Sequence, residues 1–390
     1  MLQVQAQALP IARASYRSPI VERLRESSFE LRAGRLTLRC ARNFGFCWGV
    51  DKAVSMVDEA IRGNRGRRIW LLSPIIHNPI VNRDLVARGV RFIKGEGLEG
   101  EDPFAVVAPE DLVVIPAFSA EIEDVERLAA IGCTVLDTTC PWVERPHRRT
   151  ERLIGDGFTL VIHGKLGHDE TRATCSLIRS RGGHFVVLLD LAEADVLCGV
   201  LRGSVPPAEL LERLAGATSP GFAPGRDLER VGLVNQTTML ASESREIGRR
   251  IAQAMRARHG ALALKDRFRD YDTICSATQE NQDAVLALLG SPGVDLMLVV
   301  GGYASSNTHN LARIAGGRVP TYHLEEASEI TAEAIHHQRL DRPERVVTRD
   351  WLPPGPVVIG FTAGASTPDN TLGEVILRVV EVAGEELDGV

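Results

Sequence analysis

Short apolar runs alternate with longer helical patterns along nearly the whole chain, and this restricts the fold more than any other feature. Runs at 69–72, 112–116, 134–136, 160–162, 185–189, 232–234, 296–300 and 357–360 have strand length. Helical periodicity fills 50–62, 125–130, 242–257, 280–289 and 372–382. Strands separated by helices pair in parallel, because a parallel partner needs a crossover of a dozen or more residues. The expectation is an α/β protein with mostly parallel sheets. With 390 residues the chain exceeds one ordinary core. Residues 1–35 are weakly patterned and read as an extension.

Composition excludes several classes. Hydrophobic residues at 44% and charged residues at 25% describe a globular chain, not a disordered or fibrous one. No apolar run reaches the ~18 residues of a membrane span, so no membrane partner is expected. A net charge of −6 argues against a nucleic-acid partner, which would want a basic face. Seven cysteines without a C-x-x-C do not suit a secreted disulfide framework or a zinc finger. The start of the chain lacks the apolar stretch of a secretory signal, and a reducing cytoplasm is the expected location.

Three cysteines stand apart from the rest. Asp137-Thr138-Thr139-Cys140 and Asp272-Thr273-Ile274-Cys275 share the pattern D-T-x-C, and each opens a helical pattern. Cys47, in Gly45-Phe46-Cys47-Trp48-Gly49, also sits between a strand-like lead-in and a helix. The three are roughly 100 residues apart, a domain's length, which suggests three related lobes giving one thiolate each. Expected boundaries are 36–139, 140–274 and 275–390, with an insertion at about 191–230 inside the middle lobe. A helix start favours the thiolate, the form that binds metal. Zinc with an open position and an iron–sulfur cluster with one iron lacking a cysteine both fit three thiolates. Trp48 and Trp142 beside two of these cysteines suggest a dry site. Cys40, Cys133, Cys175 and Cys198 read as small buried hydrophobes.

Two further groups carry chemistry. His168 and Glu170, in His163-Gly164-Lys165-Leu166-Gly167-His168-Asp169-Glu170, follow a strand and can pass a proton, with Glu170 as donor. Hydroxyl-rich strand-to-helix turns occur at 235–238, 301–307 and 362–368. Such turns cap helices, and with glycine they also cradle phosphate. His77, in Ile75-Ile76-His77-Asn78-Pro79, adds a possible phosphate donor. A small, fully enclosed phosphorylated substrate fits the mixture.

The motifs G-F-C-W-G-V, I-I-H-N-P, D-T-T-C-P-W, H-G-K-x-x-H-D-E-T, N-Q-T-T-M-L, D-T-I-C-x-A-T-Q-E, G-G-Y-x-S-S-N-T and T-A-G-A-S-T-P-D run in order over roughly 35–385. In these the chain resembles the LytB family of 4-hydroxy-3-methylbut-2-enyl diphosphate reductases, in its cyanobacterial and plant branch. The resemblance implies a trefoil of three related α/β lobes around a central [4Fe–4S] cluster, with Cys47, Cys140 and Cys275 as ligands and one open iron. It implies Glu170 as proton donor, His168 as its neighbour, and Thr237 ordering water or the substrate hydroxyl. His168 and Thr237 also count among the implied substrate contacts, and His77, Ser305, Ser306, Asn307 and Ser366 match diphosphate contacts. The implied reaction is reductive dehydroxylation to isopentenyl and dimethylallyl diphosphate, with electrons from ferredoxin or flavodoxin.

One position departs from the short form of the family, which has a diphosphate-binding histidine in a segment S-A-H-G. Here Phe118, in Pro116-Ala117-Phe118-Ser119-Ala120, stands there, and phenylalanine cannot donate a hydrogen bond. Lys165 is the candidate to supply the missing charge. Other readings of the residues are an iron–sulfur hydro-lyase, which needs no reductant, an iron–sulfur redox sensor, and a zinc hydrolase.

Overall fold

The computed structural model describes residues 16–94, 102–291 and 293–388, which fall into two compact units. The first comprises residues up to 66, 74–90 and 276 onward; the second comprises 67–73 and 91–275.

The first unit is built on a seven-stranded sheet. Its order is Glu30–Ala33, Leu36–Cys40, Val357–Ala363, Leu296–Val300, Thr321–Leu324, Ala334–Gln338 and Arg345–Arg349. The four strands from Leu36–Cys40 to Thr321–Leu324 pair in parallel, and both edges are antiparallel. Every residue of the central strand Leu296–Val300 is buried, as expected of an apolar run covered on both faces. One face packs Leu38, Leu298 and Phe361 with Leu372 and Ile376; the other packs Met297 and Val299 with Leu311 and Ala312. Helix Asp369–Val382 buries Leu372, Val375, Ile376 and Val379, the i, i+3, i+4, i+7 stripe of an amphipathic helix. It packs on helix Pro19–Glu26, and Gly373 permits the approach: a Cβ there would lie 2.0 Å from Ser18 Oγ.

Residues 16–35 are therefore core rather than extension. Helix Pro19–Glu26 buries Ile20, Val21 and Leu24, and Glu30–Ala33 pairs with Leu36–Cys40. Their polar exposed faces hide that role in the sequence. Residues 1–15 of the expected extension lie outside the described residues.

The second unit holds two four-stranded parallel sheets. One has the order Arg91–Phe92, Ile69–Leu71, Leu112–Ile115, Thr134–Asp137; the other Phe268–Asp270, Val231–Asn235, Thr159–His163, Phe185–Leu188. Three mostly parallel sheets thus answer the α/β expectation. The lobe boundaries fall elsewhere than 36–139, 140–274 and 275–390: residues 36–66 belong with the carboxyl-terminal sheet, because Leu36–Cys40 pairs with Val357–Ala363. The expected insertion is helical. Leu197, Cys198, Leu201, Leu210 and Leu214 pack with Ile247, Ile251 and Met255 on the sheet. Among the described residues no helix is long and apolar enough to cross a membrane.

Candidate active site

The three singled-out cysteines share one backbone arrangement. Each follows a strand and lies at the start of a helix: Cys47 before Trp48–Gly63, Cys140 before Pro141–Gly155, and Cys275 before Ser276–Gly290. In each case the cysteine N–H donates to a carbonyl two residues beyond the end of the neighbouring parallel strand. Cys140 donates to Ala117 beyond Leu112–Ile115, Cys275 to Thr237 beyond Val231–Asn235, and Cys47 to Ala365 beyond Val357–Ala363.

The repeated D-T-x-C residues build the two copies in the second unit. Asp137 and Asp272 each accept the N–H two residues on, from Thr139 at 2.8 Å and Ile274 at 3.2 Å, which forms an Asx turn. Thr138 Oγ1 donates to the Ile115 carbonyl at 2.6 Å. Thr273 Oγ1 donates to the Asn235 carbonyl and accepts the Asn235 N–H, both at 2.7 Å. The threonine ties each cysteine loop to the strand beside it, and the aspartate turns the loop.

Glu170 is the most perturbed acid of the second unit's site. It lies in the first turn of helix Asp169–Ser180 and is 2% exposed. Its Oε1 accepts the Thr237 N–H at 2.7 Å and its Oε2 the Thr237 hydroxyl at 2.8 Å. Burial pushes the carboxyl up to about 7, against the two hydrogen bonds from Thr237 that favour the charged form. The strands carrying the two loops are adjacent, with His163 opposite Asn235, so both loops leave the same carboxyl-terminal edge of the sheet. His168 caps the helix: the Glu170 N–H donates to its Nδ1 at 3.2 Å, which leaves Nε2 as the proton-bearing nitrogen of the neutral ring. The Phe118 ring meets the His168 ring edge-on at 5.5 Å. The sequence missed Gln236, whose Oε1 accepts the Lys165 N–H at 2.9 Å and shapes the loop before His168.

The expected diphosphate residues converge in the first unit. Ser305 Oγ caps helix Ser306–Gly316 by accepting the Thr308 N–H at 3.3 Å. Asn307 Oδ1 accepts the Ala365 N–H at 2.9 Å, and its Nδ2 donates to Thr278 Oγ1 at 3.4 Å. Ser366 Oγ donates to the His77 carbonyl at 3.4 Å. Gly302 lies against the same carbonyl, where a Cβ would come within 2.3 Å of it. Ser306 Oγ is buried and finds no partner among the described residues.

A family model described as LytB protein matches residues 38–380. The chain belongs to the LytB family. The 4-hydroxy-3-methylbut-2-enyl diphosphate reductase of Synechococcus sp. (strain RCC307) is 45% identical over 372 residues, covering 95% of this chain and 89% of the relative. That of Gloeobacter violaceus is 43% identical over 376 residues, with the same coverage. A solved (E)-4-hydroxy-3-methyl-but-2-enyl diphosphate reductase, the terminal enzyme of the non-mevalonate pathway, is 28% identical. It has a TM-score of 0.52 and covers 88% of this chain and 99% of its own. The Plasmodium falciparum reductase structure, 19% identical, shares the fold with a TM-score of 0.64, covering 87% and 86%.

In this LytB chain the cysteine donors suit an iron–sulfur group in kind. Three thiols occupy the same backbone position in three sheets, and Cys40, Cys175 and Cys198 are instead packed in apolar clusters. Burial pushes the Cys47 thiol up, opposed by the N–H groups of Val50 and Gly49 that point at its sulfur. Among the described residues no three His, Cys, Asp or Glu side chains are grouped closely enough to hold a single metal ion. Trp48 does not shield Cys47: it is 61% exposed, with the Lys52 ammonium 5.6 Å above its ring.

Proposed function

We propose that this chain reduces (E)-4-hydroxy-3-methylbut-2-enyl diphosphate to isopentenyl and dimethylallyl diphosphate, the last step of the non-mevalonate isoprenoid route. The observation that carries this reading is the buried Glu170 carboxyl, held by Thr237, whose own carbonyl takes the Cys275 N–H. A proton source is thereby joined, through one residue, to one of the three thiols.

Cys47, Cys140 and Cys275 would hold a [4Fe–4S] cluster, which would supply one-electron chemistry. The chain's residues do the rest. Glu170, still protonated near neutral pH, gives its proton to the substrate hydroxyl oxygen as the C–O bond breaks and water leaves. Two electrons, delivered singly by a donor such as ferredoxin or flavodoxin, and a second proton at carbon complete the alkene. Thr237 fixes the carboxyl by both its oxygens, and His168 sits two residues away as the relay. His77, Ser305, Ser306, Asn307 and Ser366 hold the diphosphate with hydrogen-bond donors. A reducing cytoplasm keeps the thiols available.

The test is anaerobic purification, iron and sulfide analysis, and turnover with and without a chemical reductant. Both products are expected only when reductant is present. Turnover without reductant would make the protein a hydro-lyase, and zinc in place of iron would overturn the cluster reading.

A further inference from the structure

The turn that carries Ser305 and Ser306 is held from behind by a closed hydrogen-bond circuit. The Tyr303 N–H donates to Glu325 Oε1 at 2.7 Å, and the Tyr303 hydroxyl to Glu329 Oε1 at 2.7 Å. The Glu325 N–H donates to Glu329 Oε2 at 2.7 Å, which closes the ring. Arg345, on the edge strand Arg345–Arg349, pairs with Glu325 Oε2 at 3.2 Å and lies 4.7 Å over the Tyr303 ring. The fully buried His323 contacts the Gly301 carbonyl through Nε2 at 3.0 Å and meets the Tyr303 ring edge-on at 5.1 Å.

The segment needs such a hold. Gly301 has φ +147, and a Cβ there would lie 2.4 Å from Thr367 Oγ1, so two successive glycines precede Tyr303. Glycine loses more conformational freedom on ordering than any other residue. A loose glycine pair would lose that freedom when an anion binds and so weaken affinity; a pair fixed beforehand would not. The circuit also occupies the Tyr303 amide, while Ser305 N–H is bonded to Gly302 and Thr308 N–H to Ser305. Among the described residues the first-turn amides of Ser306 and Asn307 have no backbone acceptor.

We propose that Tyr303, Glu325 and Glu329 are positioning residues that pre-order turn 301–305 for the diphosphate, with Arg345 offsetting the charge of Glu325. This rests on the reading of that turn as the diphosphate site. In the cluster-loaded enzyme, Tyr303→Phe and Glu325→Ala should each raise KM and the inhibition constant of inorganic diphosphate by about three- to tenfold. Iron content, kcat and Tm should hold. Glu325→Gln, which still accepts the Tyr303 N–H, should restore wild-type affinity. Diphosphate affinity within about twofold of wild type in both Tyr303→Phe and Glu325→Ala would overturn the clamp, as would kcat and Tm falling together with affinity. Asn307→Ala separates the two readings by calorimetry with inorganic diphosphate. If it alone weakens binding, the clamp fails and the site stands; if it too leaves binding intact, both fail.

Discussion

The anion turn of the first unit and the carboxylate pocket of the second follow one local plan, since both are loops at the carboxyl ends of parallel strands. They differ in what those loops carry. The turn presents hydroxyls and an amide already bonded to neighbouring backbone, and among the described residues the buried Ser306 and Thr308 hydroxyls find no partner. The pocket centres on one ionisable acid, whose charge burial suppresses up to about pH 7. Holding a diphosphate requires no proton exchange, whereas expelling a hydroxyl as water does. Fixed donors suit the first task and a titrating carboxyl suits the second.

Four perturbations sharpen or break this contrast. The largest falls on neither site alone. Cys140→Ser or Cys275→Ser should abolish iron content and activity together, while Cys198→Ser, in its apolar cluster, should spare both. Iron lost with Cys198→Ser and kept with Cys140→Ser would reverse the assignment.

Next is the pocket. Glu170→Gln keeps size and hydrogen bonding but removes the proton, so kcat should fall by about 10²–10⁴-fold. Inorganic diphosphate should bind as before. In the wild type, kcat should decline as pH rises past about 7, where Glu170 loses its proton, and the residual rate of the Gln variant should lack that limb. Stability carries the same signature. The folded state keeps the Glu170 proton after the unfolded chain has lost it, so this acid lowers stability progressively from about pH 4.5 to about pH 7. Denaturant melts of Glu170→Gln should omit that decline; an identical pH profile in the two proteins would show that Glu170 is ionised throughout.

The turn should respond in affinity instead. His77→Ala or Asn307→Ala should weaken substrate and diphosphate binding by roughly 1.5–3 kcal/mol, the range for hydrogen bonds to a charged group. The kcat of either variant at saturation should stay near wild type, and a kcat loss matching that of Glu170→Gln would erase the distinction between the sites.

The smallest effect concerns the loops themselves. Thr138→Val removes one hydrogen bond to a buried strand-end carbonyl and should cost about 1–3 kcal/mol of unfolding free energy. Thr273→Val removes two and should cost more. Equal losses, read from denaturant melts, would mean that the second bond at Asn235 adds nothing.

Much of the pocket was legible in the chain. D-T-x-C marks two cysteine loops because its aspartate and threonine act through side chains, which leave a trace in the sequence. The third loop, at Cys47, carries no such trace, since its link to Ala365 is made by main chain alone. Glu170 stood out by its place after a strand beside His168, and Thr237 as part of a hydroxyl-rich turn whose role beside the acid only the family resemblance supplied. The clamp on turn 301–305 was invisible, because sheet pairing, and not local spacing, brings Tyr303 and Arg345 to the Glu325–Glu329 pair.

The sequence by itself determined the α/β class, the strand positions at the centres of the sheets, and the residue types at each loop, because periodicity and turn chemistry are local. Only the tertiary structure decided that residues 30–40 complete a sheet with residues 296–363, since strand order depends on which distant edges meet. It alone decided that Glu170 stays protonated near neutrality. A carboxyl's affinity for its proton follows from how much water the surrounding chain removes, and that is a property of the packing, not of the residue.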